Sequence, residues 1–86
     1  MRQVILYGTR TCPYCYKAKK LLRVKHILFN EILIDHNKEQ QQEMITRSGR
    51  CHVPQIFVGD QHLGSFHNMM ELERKGLLDP MLSDKQ

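Results

Sequence analysis

Val4-Ile5-Leu6-Tyr7-Gly8-Thr9-Arg10-Thr11-Cys12-Pro13-Tyr14-Cys15 runs from an apolar, strand-forming segment straight into the opening of a helix. Val4 to Tyr7 is continuously apolar rather than alternating, the pattern of a short strand covered on both faces, and Gly8 ends it. Pro13 suits the first turn of a helix, where a missing N–H does no harm. From Tyr14 to about Lys25, the residues Ala18, Leu21, Leu22 and Lys25 recur at helical spacing, with Lys17, Lys20 and Arg23 outward. The helix therefore begins at the cysteine pair itself.

That position gives the pair a chemistry. Thiol–disulfide exchange needs a thiolate, and an ordinary cysteine, with a pKa of about 8.5, is only a few per cent ionised at neutral pH. At a helix N-terminus, unpaired backbone N–H groups and the helix dipole favour negative charge. Cys12 is thus expected to be the attacking sulfur, with Arg10, Lys17 and Lys20 as nearby cations. Cys15, one turn further in, is placed to attack a mixed disulfide and release the product. Pro13 fixes the first-turn geometry, and Tyr14 supplies a flat apolar rim. Three structural explanations fit less well. Proline between the cysteines at a loop–helix junction argues against two ordinary core residues. A zinc knuckle needs a second pair, which Cys51 and the irregularly spaced histidines do not make, so no metal is expected. A static disulfide is uncommon in the cytosol.

Outward from this segment, Phe29 to Ile34 reads as a second strand and Asp35-His36-Asn37 as a turn or helix cap. Lys38 to Ser48 is a polar helix with Met44 and Ile45 inward, closed by Gly49. Gln55 to Val58 is a third strand, Gly59-Asp60 a tight turn, and Gln61 to Leu63 a fourth strand broken by Gly64-Ser65. Asn68 is read as the cap of a last helix from Met69 to Lys75, closed by Gly76, and the tail Leu77 to Gln86 as adding one short helical turn after Asp79-Pro80. The order β-α-β-α-β-β-α implies an α/β fold, a mixed four-stranded sheet flanked by about three helices.

The 86 residues allow one domain, 1–86, with one aliphatic core, since Trp is absent and Phe and Tyr number three each. Met1-Arg2-Gln3 and the short apolar run after it do not form a secretory signal, and no segment approaches a membrane span. The chain is expected to be cytoplasmic. Thirteen Lys and Arg against nine Asp and Glu give a net charge of +4, read as a mildly basic surface or a field for small anions. The scattered basic residues, without interleaved aromatics, do not suggest nucleic acid. Cys51 and His52 read as loop residues, and His26, His36, His62 and His67 as surface or helix-end groups. Val53-Pro54 is either a rigid turn or a cis peptide presenting the Val53 backbone beside the cysteines, and spacing alone does not choose.

Tyr7, Thr11-Cys12-Pro13-Tyr14-Cys15, Val53-Pro54-Gln55-Ile56-Phe57 and Gly64, with Ser48-Gly49-Arg50 and Leu78-Asp79-Pro80, resemble the glutaredoxin family, in order and over nearly the whole chain. The resemblance implies a thioredoxin fold, a cis Pro54 facing the cysteines, and glutathione as reducing co-substrate with no tightly bound cofactor. Mapped here, the glutathione contacts fall at Thr9, Arg10, Tyr14, His52, Val53, Pro54, Ser65, Phe66, His67 and Asn68, with the tripeptide's cysteinyl main chain on Val53. The implied activity is reduction of protein disulfides and protein–glutathione mixed disulfides, with Cys12 the nucleophile and Cys15 resolving. Candidate partners are glutathionylated or disulfide-bearing proteins, ribonucleotide reductase or a sulfate-reducing enzyme among them, met by a monomer.

Four departures stand out. Thr9 replaces the family's common Lys, His52 its Thr, Ser65 its second Gly, and His67-Asn68 its acidic pair. A carboxylate lost there removes a partner for the glutathione ammonium, a contact worth about 1–3 kcal/mol, while helix-start N–H groups remain for its γ-glutamyl carboxylate. Two rival readings follow. One is a carrier reduced by thioredoxin reductase, supported by Thr9, His67 and Asn68. The other is an iron–sulfur cluster carrier, which the resemblance disfavours because such members usually carry a Cys-Gly-Phe-Ser-like motif.

Overall fold

The computed structural model describes residues 3–83. Strand β1 (Val4–Gly8) is central. It pairs in parallel with β2 (Asn30–Leu33) on one side and antiparallel with β3 (Gln55–Val58) on the other, and β3 pairs antiparallel with β4 (Gln61–Gly64). The sheet order is β2-β1-β3-β4. Parallel neighbours need a crossover, and α1 (Pro13–Val24) supplies it between β1 and β2. Helices α2 (Lys38–Ser48), α3 (Phe66–Arg74) and α4 (Leu78–Ser83) complete the described chain. This is the thioredoxin fold that the resemblance implied.

The apolar run of β1 is covered on both faces, as its pattern requires. Val4 and Leu6 face one way, onto Ala18 and Leu22 of α1, Met69 of α3, and Leu78 and Leu82 of α4, in a cluster shared with Ile56 and Val58. Tyr7 and Phe57 face the other way, onto Ile34 and Met44. Each fully buried Leu or Ile in these clusters contributes about 1.5–3 kcal/mol relative to exposure.

Three details depart from the sequence reading. The helices number four among the described residues, not about three, because α4 begins at Leu78 and places Pro80 in its first turn, where proline is tolerated. Gly8 ends β1 as its last paired residue. It pairs with Leu33, and its carbonyl accepts from the Ile34 N–H at 2.9 Å. Strand β2 is one residue shorter at each end than the expected Phe29 to Ile34.

Helix α3 starts three residues earlier than expected. Ser65, not Asn68, is its N-cap. The Ser65 hydroxyl accepts from the Asn68 N–H and the Asn68 Oδ1 accepts from the Ser65 N–H at 3.0 Å, a reciprocal capping box. Both residues are good caps, and the box forms because Ser65 precedes Asn68 by the spacing it needs. Helix α2, in contrast, has the Asn37 cap and the left-handed Gly49 (φ 74°) at the expected places.

Candidate active site

Antiparallel pairing of Tyr7 with Gln55 brings the end of β1 beside the start of β3, and pairing of Ile56 with Gly64 brings the end of β4 to the same edge. The beginnings of α1 and α3 and the 52–54 loop therefore gather at one end of the sheet. There the Val53–Pro54 bond is cis, with Pro54 buried and Val53 half-buried. Of the two readings left open for this dipeptide, the structure takes the second for the bond itself.

Cys12 is the N-cap of α1 in an extended conformation, and Pro13 follows at N1. The Cys15 N–H donates to the Cys12 Sγ at 3.2 Å. Both sulfurs are free thiols, Cys12 half-exposed and Cys15 buried at 1 % exposure. Burial first, then its hydrogen bond with Cys12, push the Cys15 thiol up to about 12, against the opposing pull of a hydrogen bond with the Thr9 backbone. The two sulfurs are thereby unlike: one is accessible and faced by a helix-start donor, the other is dry and protonated. That is the asymmetry in which one thiol attacks an outside disulfide and the second waits for the intermediate.

Around Cys12 the expected residues divide into two groups. Tyr14, 44 % exposed, lies 5.9 Å from the Phe66 ring and 5.1 Å from the His67 ring between centroids, with the Lys17 Nζ 5.3 Å from its own centroid. These contacts join the starts of α1 and α3 into an aromatic rim. Thr9 is half-exposed, and the Arg10 side chain is exposed while its N–H donates to both Asp35 carboxylate oxygens at 3.2 Å. His52 is exposed. Ser65 and Asn68, by contrast, are turned into the capping box, and the Asn68 Oδ1 also accepts from the Arg50 Nη1 at 2.8 Å. Cys51 is exposed in the loop before the cis peptide. No cluster of His, Cys, Asp and Glu suited to a metal occurs among the described residues.

Sequence reasoning missed three participants. Gly8 leaves room for Cys15: a Cβ there would lie 2.9 Å from the Cys15 Sγ. Gln55 is fully buried, and its Nε2 donates to the His52 carbonyl at 2.9 Å, bridging the cis peptide. His62, read as a surface group, is half-buried and packs on Phe57. A glutamine opening an otherwise apolar strand was the one visible signal, since a buried amide needs partners.

The model of the glutaredoxin family matches residues 4–63. The chain belongs to the glutaredoxin family. Glutaredoxin 3 of Escherichia coli is 48 % identical over 82 residues, which cover 95 % of this chain and 99 % of the relative. The solution structure of glutaredoxin from Brucella melitensis is 43 % identical with a TM-score of 0.85, covering 100 % of this chain and 94 % of that one. A buckwheat glutaredoxin–glutathione complex is 28 % identical with a TM-score of 0.88, covering 96 % and 78 % respectively. Cys12 and Cys15 are spaced Cys-x-x-Cys on the fold of thiol–disulfide oxidoreductases. No helix among the described residues is long and apolar enough to cross a membrane.

Proposed function

We propose that this glutaredoxin is a glutathione-dependent oxidoreductase of protein disulfides and protein–glutathione mixed disulfides. The observation that carries the reading is the unequal cysteine pair: Cys12 half-exposed under the Cys15 N–H, Cys15 buried and protonated. With a mixed disulfide, the Cys12 thiolate attacks the glutathione sulfur, the protein thiolate leaves and takes up a proton, and Cys12 carries the glutathionyl group. A free glutathione thiolate then attacks that sulfur, giving glutathione disulfide and regenerating Cys12. With a protein disulfide, Cys12 bonds to one substrate sulfur and expels the other. Cys15, losing its proton as it reacts, attacks the Cys12 Sγ and frees the second substrate thiol, and two glutathione molecules reduce the resulting Cys12–Cys15 disulfide. The electrons come from glutathione throughout.

In this reading the tripeptide lies between Tyr14, the 52–54 loop and the start of α3. Its main chain pairs with Val53, Thr9 and Pro54 wall the cysteinyl group, and Arg10 and His52 flank its charged ends. The capping box uses the Asn68 N–H, and the N–H groups of Phe66 and His67, beside Ser65, remain to receive a carboxylate. The buckwheat complex supports glutathione as the ligand class.

The first turn of α3 holds no acidic residue, and this favours a second reading, reduction by thioredoxin reductase. One assay separates them: glutathione, glutathione reductase, NADPH and a glutathionylated peptide, with wild type, Cys12→Ser and Cys15→Ser. Turnover lost in Cys12→Ser and kept in Cys15→Ser is the expected result. No wild-type turnover, with activity restored by thioredoxin reductase, establishes the second reading.

A further inference from the structure

We propose that His62, on β4, is a positioning residue that sets the Val53–Pro54 loop through the buried Gln55 amide. The argument begins with hydrogen-bond satisfaction. Gln55 is 0 % exposed, so both ends of its amide need partners. The His52 carbonyl can only accept, so the amide must turn its Nε2 toward it, at 2.9 Å, with the His52 Nδ1 also 3.3 Å away. The Oε1 then faces the His62 Nε2 at 2.8 Å, and since Oε1 can only accept, His62 must carry a proton on Nε2. The imidazolium carries one there too, so the bond does not depend on the charge of the ring.

The strand geometry explains how a β4 side chain reaches this amide. Phe57 pairs with His62 while Ile56 pairs with Gly64, so Leu63 is an extra residue on β4. The tight hairpin register, in which Val58 pairs with Gln61, puts His62 opposite Phe57, on the face shared by Gln55; Leu63 lies in the other core cluster, and the bulge follows the His62 pair. There the imidazole stacks on Phe57 with centroids 4.8 Å apart and planes 26° apart, while the Arg47 guanidinium lies 4.1 Å from the same Phe57 centroid. The ring is fixed in place, and its N–H fixes the rotation of the amide. The amide in turn holds the His52 carbonyl across the cis peptide, and so sets the spacing of the loop that presents the Val53 main chain. His62 touches neither sulfur.

The inference deepens the reading in which Val53 pairs with the glutathionyl main chain and rests on it for its kinetic consequence. Its test uses wild type, His62→Phe, which keeps a ring over Phe57 and removes the donor, and His62→Gln, which restores an N–H at a similar reach. His62→Leu replaces the phenylalanine variant if that one does not fold. Two quantities are measured: amide hydrogen exchange at residues 51–53 in the reduced protein, and KM and kcat for a glutathionylated peptide.

His62→Phe is expected to speed exchange at 51–53 by about tenfold over its effect elsewhere in the sheet and to raise KM roughly threefold to tenfold with kcat nearly unchanged, His62→Gln restoring both. Wild-type exchange at 51–53 in the donor-less variant overturns the proposal. So does an increase spread evenly over the sheet with kcat and KM both impaired, because it marks a general loss of stability. If wild type itself fails to turn over the peptide, the glutathione reading falls, and the exchange at 51–53 alone decides the role of His62.

Discussion

Gly8 and Cys15 occupy the same small volume from opposite sides, and much of the site's character follows. A methyl group at position 8 would meet the Cys15 Sγ at 2.9 Å and the Leu6 Cδ2 at 3.2 Å, both closer than packed carbon and sulfur tolerate. Gly8→Ala is expected to destabilise the reduced protein by about 1–3 kcal/mol, read by urea denaturation, because a buried sulfur or leucine must shift. A second expectation concerns reactivity. Brief alkylation of the native, reduced protein near neutral pH, followed by mass spectrometry, should label Cys12 and Cys51 and spare Cys15, whose thiol is buried and pushed up to about 12. Denaturation should make all three react. The chemistry of Cys12 was legible in the sequence, because cap, proline and second cysteine lie within one helical turn. The task of Gly8 was not, because it depends on how closely α1 descends onto β1, which no local pattern records.

Among the elements, helix ends carried most of the surprises. After Lys25 at the end of α1, His26 adopts φ 61°, and its N–H and that of Ile27 donate to the carbonyls of Arg23 and Leu22 at 3.0 and 2.9 Å. The same pair of closing bonds recurs after α3, where the left-handed position is Gly76. A histidine side chain in this conformation is strained by about 1 kcal/mol. His26→Gly should therefore stabilise the protein by roughly 0.5–1 kcal/mol, seen as a rise of a few degrees in Tm. Strands and helices were readable from periodicity and stop signals. The start of α3 was misplaced because Ser65 and Asn68 both suit a cap and only their mutual bonding decides. The bulge at Leu63 leaves no mark in so short a strand.

Across the whole molecule, one cation ties three helices together. Lys25, at the end of α1, donates to Glu73 of α3 at 3.0 Å and Asp79 of α4 at 2.6 Å. The hydrogen bonds to Asp79 first and Glu73 next raise its pKa above the ordinary lysine value. A lysine whose pKa is higher folded than unfolded adds stability fully below its unfolded pKa of about 10.4, and loses that contribution as pH climbs through the folded pKa. Lys25→Met should cost about 1 kcal/mol at neutral pH, with Asp79 largely exposed, and the gap to wild type should close in strongly alkaline buffer.

The element order, and hence the fold, was visible because each unit announces itself locally. The partnership of Lys25 with residues about fifty positions away was not. The site shares that long reach. Pro54 follows Cys15 by 39 positions and Ser65 by 50, and central β1 has only β2 beside it until β3 arrives. A chain emerging from the ribosome thus exhibits both thiols well before the second half of their setting has been translated, and the shelter enjoyed by Cys15 belongs to the finished protein alone.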